Sequence, residues 1–479
     1  MKKFIVFAVV LALLVPAAAF AAAEFSLGGF IKLDAMWDSN NSVGKNINGV
    51  PARNNDYSAN HGRLKFTAQG SRFNFTIKGP KLWGAQVTGY LEMDFDSVER
   101  ELLGTGFTAS KSYTPRLRHA MFRFNWPTSE LLFGQYWSFF SEWFIESAED
   151  GPFQMTGTPT ARLAQVRFTQ KFLGDWTVAA LVGDPNQANL TTGATAPYNA
   201  NINNGQSAET PQIQAKVQFQ RDMWGKAAFY GVPTPFTAQV SAGFQRNVIR
   251  TGLYGVNTLG SNINGTGAVT ENNLVAGTAY IPNQYVNPWM AMGTLFIPVI
   301  PTSSANLAGT ASILTQWWVG QGVEAFGFTG VAGNLFKFNN NFNNTFSYDA
   351  VLLKKFGGLA QAQYYFNNQW FINAAYGVSK AFTVNRSRFL YGANIFGLNN
   401  MEWGVFDNAQ TIQQVNATLW YRPIQAIKFG LQYSYANATY YQYILPANPQ
   451  VSTVPVANTA SRSHFGDDHR VEFVGFFYF

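Results

Sequence analysis

The chain has 479 residues, 47% of them apolar, 16% aromatic and only 12% charged, with no Cys and a formal charge of +7. Soluble domains carry about 25% charged residues, while 43 Phe, 21 Tyr and 13 Trp are far more ordering power than a disordered chain holds. Lack of Cys excludes disulfides, thiolate metal sites and Cys nucleophiles. Beyond residue 23 no apolar run reaches the roughly 18 residues a membrane-spanning helix needs.

At the N-terminus Lys2 and Lys3 precede an apolar stretch from Phe4 to Val15, then Pro16 and a run of small residues up to Glu24. A basic start, an apolar middle and A-x-A cleavage options after Ala21 or Ala23 read as a signal peptide over residues 1–23. Without Lys2 and Lys3 the chain has 31 basic against 26 acidic residues, a charge of +5. These charges are scattered rather than gathered in a stripe, so no nucleic-acid partner is expected.

From Glu24 onward the dominant signal is period two. Residues 85–96 set Ala85, Val87, Gly89, Leu91, Met93 and Phe95 against Gln86, Thr88, Tyr90, Glu92, Asp94 and Asp96. Residues 164–172 alternate Val166 and Phe168 with Gln165, Arg167, Thr169 and Lys171. In 212–220, Ile213, Ala215, Val217 and Phe219 oppose Gln212, Gln214, Lys216, Gln218 and Gln220, and 427–435 repeats the pattern. A sheet with one face in hydrocarbon and one in water has this pattern, and so does a soluble sandwich with one wet face.

Connections separate the two. Short turns at 125–129, 172–176, 366–370 and 421–425 alternate with long Asn-, Thr- and Gly-rich loops at 184–210, 247–280, 385–408 and 437–466. Trp126, Phe172, Trp176, Phe366, Trp370 and Tyr421 flank the short turns. Rims of unequal length and interfacial aromatics mark a transmembrane antiparallel β-barrel.

Strands are expected to begin near Phe25, Arg63, Arg72, Ala85, Arg116, Glu130, Arg162, Trp176, Gln212, Phe236, Val286, Ile313, Gly358, Trp370, Ile412, Ala426 and His469. The stretch 280–360 does not resolve cleanly. An all-β barrel of about sixteen strands follows, with eighteen as the other even count, filling residues 24–479 as one domain with no separate plug. The last residues, 469–479, read HRVEFVGFFYF, with Val471, Phe473, Gly475, Phe477 and Phe479 in step. They form a closing strand that pairs with the first.

The stretch SRFNFTIKGPKLWGAQVTGYLEMDFD (residues 71–96), LRHAMFRF (117–124) and LLFGQYWSFF (131–140) resembles the DcaP-like branch of trimeric outer-membrane porins. The match covers about the first 140 residues and the C-terminal strand, which is similar to the signal read by the barrel-assembly machinery. The resemblance implies a sixteen-stranded homotrimer in the outer membrane of a Gram-negative bacterium, bounded by lipid and lipopolysaccharide. Its expected role is passive diffusion of small hydrophilic, organic or anionic solutes. It also implies that the segment following LLFGQYWSFF, residues 138–160, folds into the lumen as a constriction.

That segment carries Glu142, Glu146, Glu149 and Asp150, whose spacing would gather them on one face of a short helix. Alternation points Arg63, Lys65, Arg72, Lys78, Arg123 and Arg167 inward, and Arg118 less cleanly. A basic wall opposite an acidic loop would set a transverse field across the passage. The cations favour anions, whereas the loop acids and Glu92, Asp94 and Asp96 oppose that preference; weak anion selectivity is expected.

The alternatives are an outer-membrane barrel lipase or protease and a non-conducting structural or adhesive barrel. An enzyme needs a nucleophile, a base and an orienting acid. His119 points inward, but no G-x-S-x-G lies near it. His464, Asp467, Asp468 and His469 could surround a divalent cation, yet a loop-to-strand turn accounts for them more simply. No enzyme activity, cofactor or metal is expected.

Overall fold

The computed structural model describes residues 23–40, 50–54, 61–96, 99–101, 111–149, 155–185, 205–249, 284–327, 331, 335–341, 345–382, 401–403, 409–440 and 463–479. The expected signal segment, except Ala23, and Asp150 lie outside the described residues.

Seventeen segments form one sheet. In chain order they are β1 (Glu24–Asp38), β2 (Arg63–Thr67, continued by Arg72–Leu82), β3 (Ala85–Asp94), β4 (Arg116–Asn125), β5 (Ser129–Trp137), β6 (Arg162–Phe172), β7 (Trp176–Gly183) and β8 (Gln212–Arg221). There follow β9 (Phe236–Phe244), β10 (Trp289–Ile300), β11 (Ala311–Gln321), β12 (Lys354–Tyr365), β13 (Trp370–Ala381), β14 (Ala409–Ile424), β15 (Ile427–Tyr440) and β16 (Phe465–Tyr478). Fifteen of the seventeen expected starts fall on these segments, the largest offsets being Gly358 for Lys354 and His469 for Phe465; Val286 lies in a separate short strand, Gln284–Val286, three residues before β10, and Ala426 in the turn one residue before β15.

The count is sixteen rather than eighteen because β2 is one strand in two pieces. Residues 63–67 pair with 34–38 of β1, and 72–78 pair with 24–30. At the break Lys32 loses its ladder partner, and Ser71 replaces it. The Ser71 hydroxyl accepts from the Lys32 N–H at 3.0 Å and donates to the Lys32 carbonyl at 3.3 Å. Each strand pairs antiparallel with the next, and β16 pairs with β1 from Phe30↔Tyr478 to Asp38↔Arg470. The barrel is closed and has no edge to protect.

Alternate side chains partition as their chemistry requires. Leu64, Val166, Phe168, Ile213, Val217, Leu431 and Phe473 are exposed on the outer surface. Gln165, Gln212, Gln214, Gln239, Ser241, Gln432 and Ser434 are buried inside. Water would penalise such an exterior by about 25 cal/mol per Å² of apolar surface, and hydrocarbon does not. Val240, 64% exposed midway along β9, faces outward. Val240→Arg is expected to destabilise the barrel by about 2–4 kcal/mol, the usual midplane cost of a cation. Urea titration of folding into lipid vesicles measures it, and a neutral result would contradict the lipid-facing assignment.

Turns 83–84, 126–128, 173–175, 366–369 and 425–426 share one rim with Glu24 and Phe479, while the longer connections leave from the other. Aromatic rings crowd the short-turn rim. Trp370 stacks on Tyr421 with centroids 4.4 Å apart, and Trp83 stacks on Phe124 at 5.8 Å. Two connections at this rim are longer, 222–235 and 301–310, and both reach inward.

From β10 to β16 the inner face is not uniformly polar. Met290, Met292, Phe296, Leu314, Trp318, Leu359, Phe371, Trp420 and Phe476 are buried there. β10 and β11 in particular carry large apolar side chains on both faces, which is why period two fails across 280–360. What those inner faces pack against is the key to the lumen.

Candidate functional site

Between β5 and β6 the chain turns into the barrel. Among the described residues of this segment the one helical element is a single 3-10 turn, Phe139–Ser141; the expected helix through Glu142, Glu146 and Glu149 is not formed. The reason lies in the wall, whose amide side chains satisfy the loop backbone strand by strand. Gln214 Oε1 accepts from the Phe139 N–H at 2.9 Å, and Gln316 Nε2 donates to the Trp143 carbonyl at 2.9 Å. Gln361 Oε1 accepts from the Glu146 N–H, and Gln361 Nε2 donates to the Glu146 carbonyl, both at 3.3 Å. Gln432 accepts from the Ala148 N–H and Gln414 from the Thr156 N–H, each at 2.9 Å. A buried backbone served in this way needs no helix.

The inner loop therefore lies along β8 to β16. Glycines let its return limb approach the wall. Gly157 has φ +91°, and a Cβ there would collide with the carbonyl of Gly358; a Cβ at Gly377 would collide with the carbonyl of Thr156. Trp143, Ile145 and Met155 of the loop join Phe296, Leu314, Leu359 and Ala375 of the wall in one apolar cluster.

The three described loop acids separate to different strands. Glu142 meets Arg167 at 2.9 Å and Lys216 at 2.6 Å. Glu146 meets Lys428 at 3.1 Å and accepts from Gln363 at 2.9 Å. Glu149 meets Arg470 at 2.6 Å, and Arg470 also holds Asp38 at 2.5 Å across the closing seam. The expected picture of loop acids facing a distant basic wall is corrected here. Of the seven expected wall cations, only Arg167 meets a described loop acid, and the other partners, Lys216, Lys428 and Arg470, were not singled out. Alternation placed all three on inner faces; pairing them with particular acids required the loop path.

Most of the remaining expected cations bond to acids of their own wall. Arg63 binds Asp38 at 2.7 Å, and Arg72 lies 3.9 Å from Glu92. Arg118 bridges Glu92 at 2.5 Å and Asp94 at 2.7 Å. Arg123 reaches Glu130 at 3.2 Å, half-exposed nearer the short-turn rim. Lys65 is on the same inner face as Arg63, partly buried. Lys78 is exposed and pairs with Glu24 at 3.0 Å, six residues along β2 from Arg72 toward the short-turn rim. It is therefore remote from the inner loop.

Two arginines absent from the expectation complete this wall. Arg116 holds Asp94 at 2.8 Å and Asp96 at 3.3 Å. Arg162 stacks its guanidinium 5.0 Å from the Trp137 ring, and its buried Nη1 has no hydrogen-bond partner among the described residues. A β-bulge opposite Glu92 and Met93 explains the irregular alternation at Arg118, because it turns both Arg118 and His119 inward. The patch thus carries Arg72, Arg116, Arg118 and Arg162 against Glu92, Asp94 and Asp96.

His119 has Tyr136 and Trp137 rings packed against it, each with its centroid 4.9 Å away, and Glu92 at 3.7 Å. No serine hydroxyl bonds to it among the described residues, so the triad of the hydrolase alternative is not assembled there. The segment read as a loop-to-strand turn, Asp467 to His469, is already strand β16. Asp468 accepts from the Asn40 N–H at 2.8 Å and the Ser39 hydroxyl at 3.1 Å, while His469 Nδ1 meets the Tyr433 hydroxyl at 2.8 Å. Among the described residues no group of His, Asp and Glu is arranged to hold a metal. In β16, Val471, Phe473 and Phe477 are exposed outside, Gly475 is partly so, and Phe479 ends the chain at the short-turn rim.

No protein-family profile matches the chain, and no curated protein sequence matches it. Among solved structures, the outer-membrane channel DcaP of Acinetobacter baumannii superposes with a TM-score of 0.59 at 16% identity, covering 96% of this chain and 98% of that one. OmpT, an outer membrane protein of Vibrio cholerae, gives a TM-score of 0.46 at 11% identity over 95% and 98% of the two chains. The anion-selective porin from Comamonas acidovorans gives 0.46 at 9% over 96% and 100%. The chain therefore has the fold of the DcaP outer-membrane channel, a closed sixteen-stranded antiparallel β-barrel of the porin kind.

Proposed function

We propose that the protein is an outer-membrane porin through which small hydrophilic solutes diffuse passively, with weak preference for anions. The observation that carries this reading is the asymmetric lumen. The inner loop is bonded along β8 to β16, leaving the charged wall of β1 to β6 as the side along which solutes pass. The loop is the constriction: its described acids are matched by Arg167, Lys216, Lys428 and Arg470, so they add little free negative charge. Within the opposite wall, the patch of Arg72, Arg116, Arg118 and Arg162 faces Glu92, Asp94 and Asp96, and Arg162 supplies its surplus. Field lines concentrate in such a narrow, low-dielectric passage, so even one unmatched cation biases ion entry.

Export by the N-terminal signal, recognition of the C-terminal strand by the assembly machinery, lipopolysaccharide around the rim and a homotrimeric state complete the proposal. Reconstitution in a planar bilayer across a salt gradient tests it. The expected reversal potential has the anion-selective sign and moves toward zero in Arg162→Gln. A cation-selective sign contradicts the selectivity, and a silent membrane containing folded protein contradicts the channel.

A further inference from the structure

The connection between β8 and β9 is a hairpin that enters the barrel from the short-turn rim. Its strands, Ala227–Phe229 and Val232–Thr234, pair across Tyr230 (φ 52°) and Gly231 (φ 74°), the two left-handed positions of a type I′ turn. Trp83–Gly84 and Leu173–Gly174 take the same conformation at two other short turns, with Trp83 and Leu173 exposed. Tyr230 differs in being seated on the inner loop: its hydroxyl donates to the Ile145 carbonyl, and its ring meets Phe144 edge-on at 5.3 Å. Phe229 packs 4.8 Å from Trp143 of the loop and 5.9 Å from Phe296 of the wall. Below the tip the hairpin is tied to the barrel. Ser312 donates to the Ala228 carbonyl at 3.0 Å, and Lys226 exchanges backbone hydrogen bonds with Thr302 at 2.8 and 2.7 Å.

We propose that this hairpin is a second element of the constriction, a brace that holds the inner loop from the short-turn side and so sets the open cross-section. The inference rests on the channel reading above. The loop's own ties run sideways to the wall through amide side chains. The hairpin supports Trp143 to Ile145 from beneath, where otherwise only solvent would stand. An open lumen has no use for buried Ala227 and Ala228, and a brace packed on apolar side chains does. The hairpin therefore narrows the lumen for large solutes and suppresses movement of the loop, without contributing charge.

Single-channel recording tests this on the full chain, with the change in gel mobility on boiling as the control for folding. Two variants are compared with the parent: Phe229→Ala combined with Tyr230→Ala, and a chain in which residues 227–234 are replaced by Asn-Gly. The expected result is a conductance raised on the order of two-fold in the shortened chain, with added open-channel noise and entry of larger neutral polymers in both variants. If the shortened chain fails to fold, the double substitution decides alone. Folded variants with parental conductance, noise and polymer cut-off overturn the brace while leaving the channel standing. A parent that folds but never conducts overturns the channel and the brace with it.

Discussion

Gly377→Leu is expected to drive the return limb of the inner loop off the wall, toward the opposite wall, and to narrow the passage. Position 377 lies on the inner face of β13, and even a Cβ there would overlap the Thr156 carbonyl and stand 3.0 Å from the Met155 side chain. Something must yield. The strand cannot, because β13 is laddered on both sides, to β12 and to β14. The loop can, since this limb is held by isolated bonds such as Gln414 to Thr156 and the Trp318 indole N–H to the Gly157 carbonyl at 2.7 Å. Overpacking of this kind costs about 1–3 kcal/mol, comparable to the one or two hydrogen bonds it would break at about 1 kcal/mol each. The barrel should stay folded and heat-modifiable while single-channel conductance falls. Gly293→Ala, where an added Cβ meets nothing within 4 Å, serves as the control. Parental conductance in Gly377→Leu would show that the loop does not limit flow.

The second large effect is electrostatic. Glu146 and Lys428 form a buried pair, the ammonium lying 4.3 Å from the centre of the Trp420 ring and 4.7 Å from that of Phe476. Removing one member of such a pair costs about 3–5 kcal/mol, because the other charge is left desolvated, whereas removing both is often nearly neutral. Glu146→Ala is thus expected to lower the urea midpoint and destabilise the loop's seat. Glu146→Gln combined with Lys428→Gln is expected to recover most of the loss. Unfolding in lipid vesicles measures the cycle. A double variant as unstable as the single one would mean that the pair acts by packing rather than by charge.

How much of this was legible beforehand differs by region. Over residues 164–169 of β6, 212–220 of β8 and 427–435 of β15 the strand follows one partition, apolar outside and polar or glycine inside, and local sequence suffices to place it. In β10 and β11 it does not. Met290, Met292, Phe296, Leu314 and Trp318 face inward yet look like outward residues, since their partners are Phe140, Trp143, Ile145 and Met155 of the distant inner loop together with Val323, Ala325 and Phe326 folded in behind β11. The 222–235 connection did carry a signal: it is longer than its neighbours at that rim and contains the apolar run AAFYG. Only a partner inside the lumen would make sense of that run.

The acids of the inner loop show the same limit. Their spacing suited a helix, but a helix wins only where backbone groups lack better partners. Here Gln214, Gln316, Gln361, Gln414 and Gln432, each on a different strand, provide those partners.

The amino-acid order by itself determined the closed barrel, its lipid-facing exterior, the contrast between its rims and the strand that shuts it, because period two and turn chemistry act over a few residues. Which charges are neutralised, which wall lines the passage and which turn enters the lumen were decided only by tertiary structure. Those outcomes depend on groups brought together across the width of the barrel, where pairing energies compete with desolvation and no local pattern records the winner.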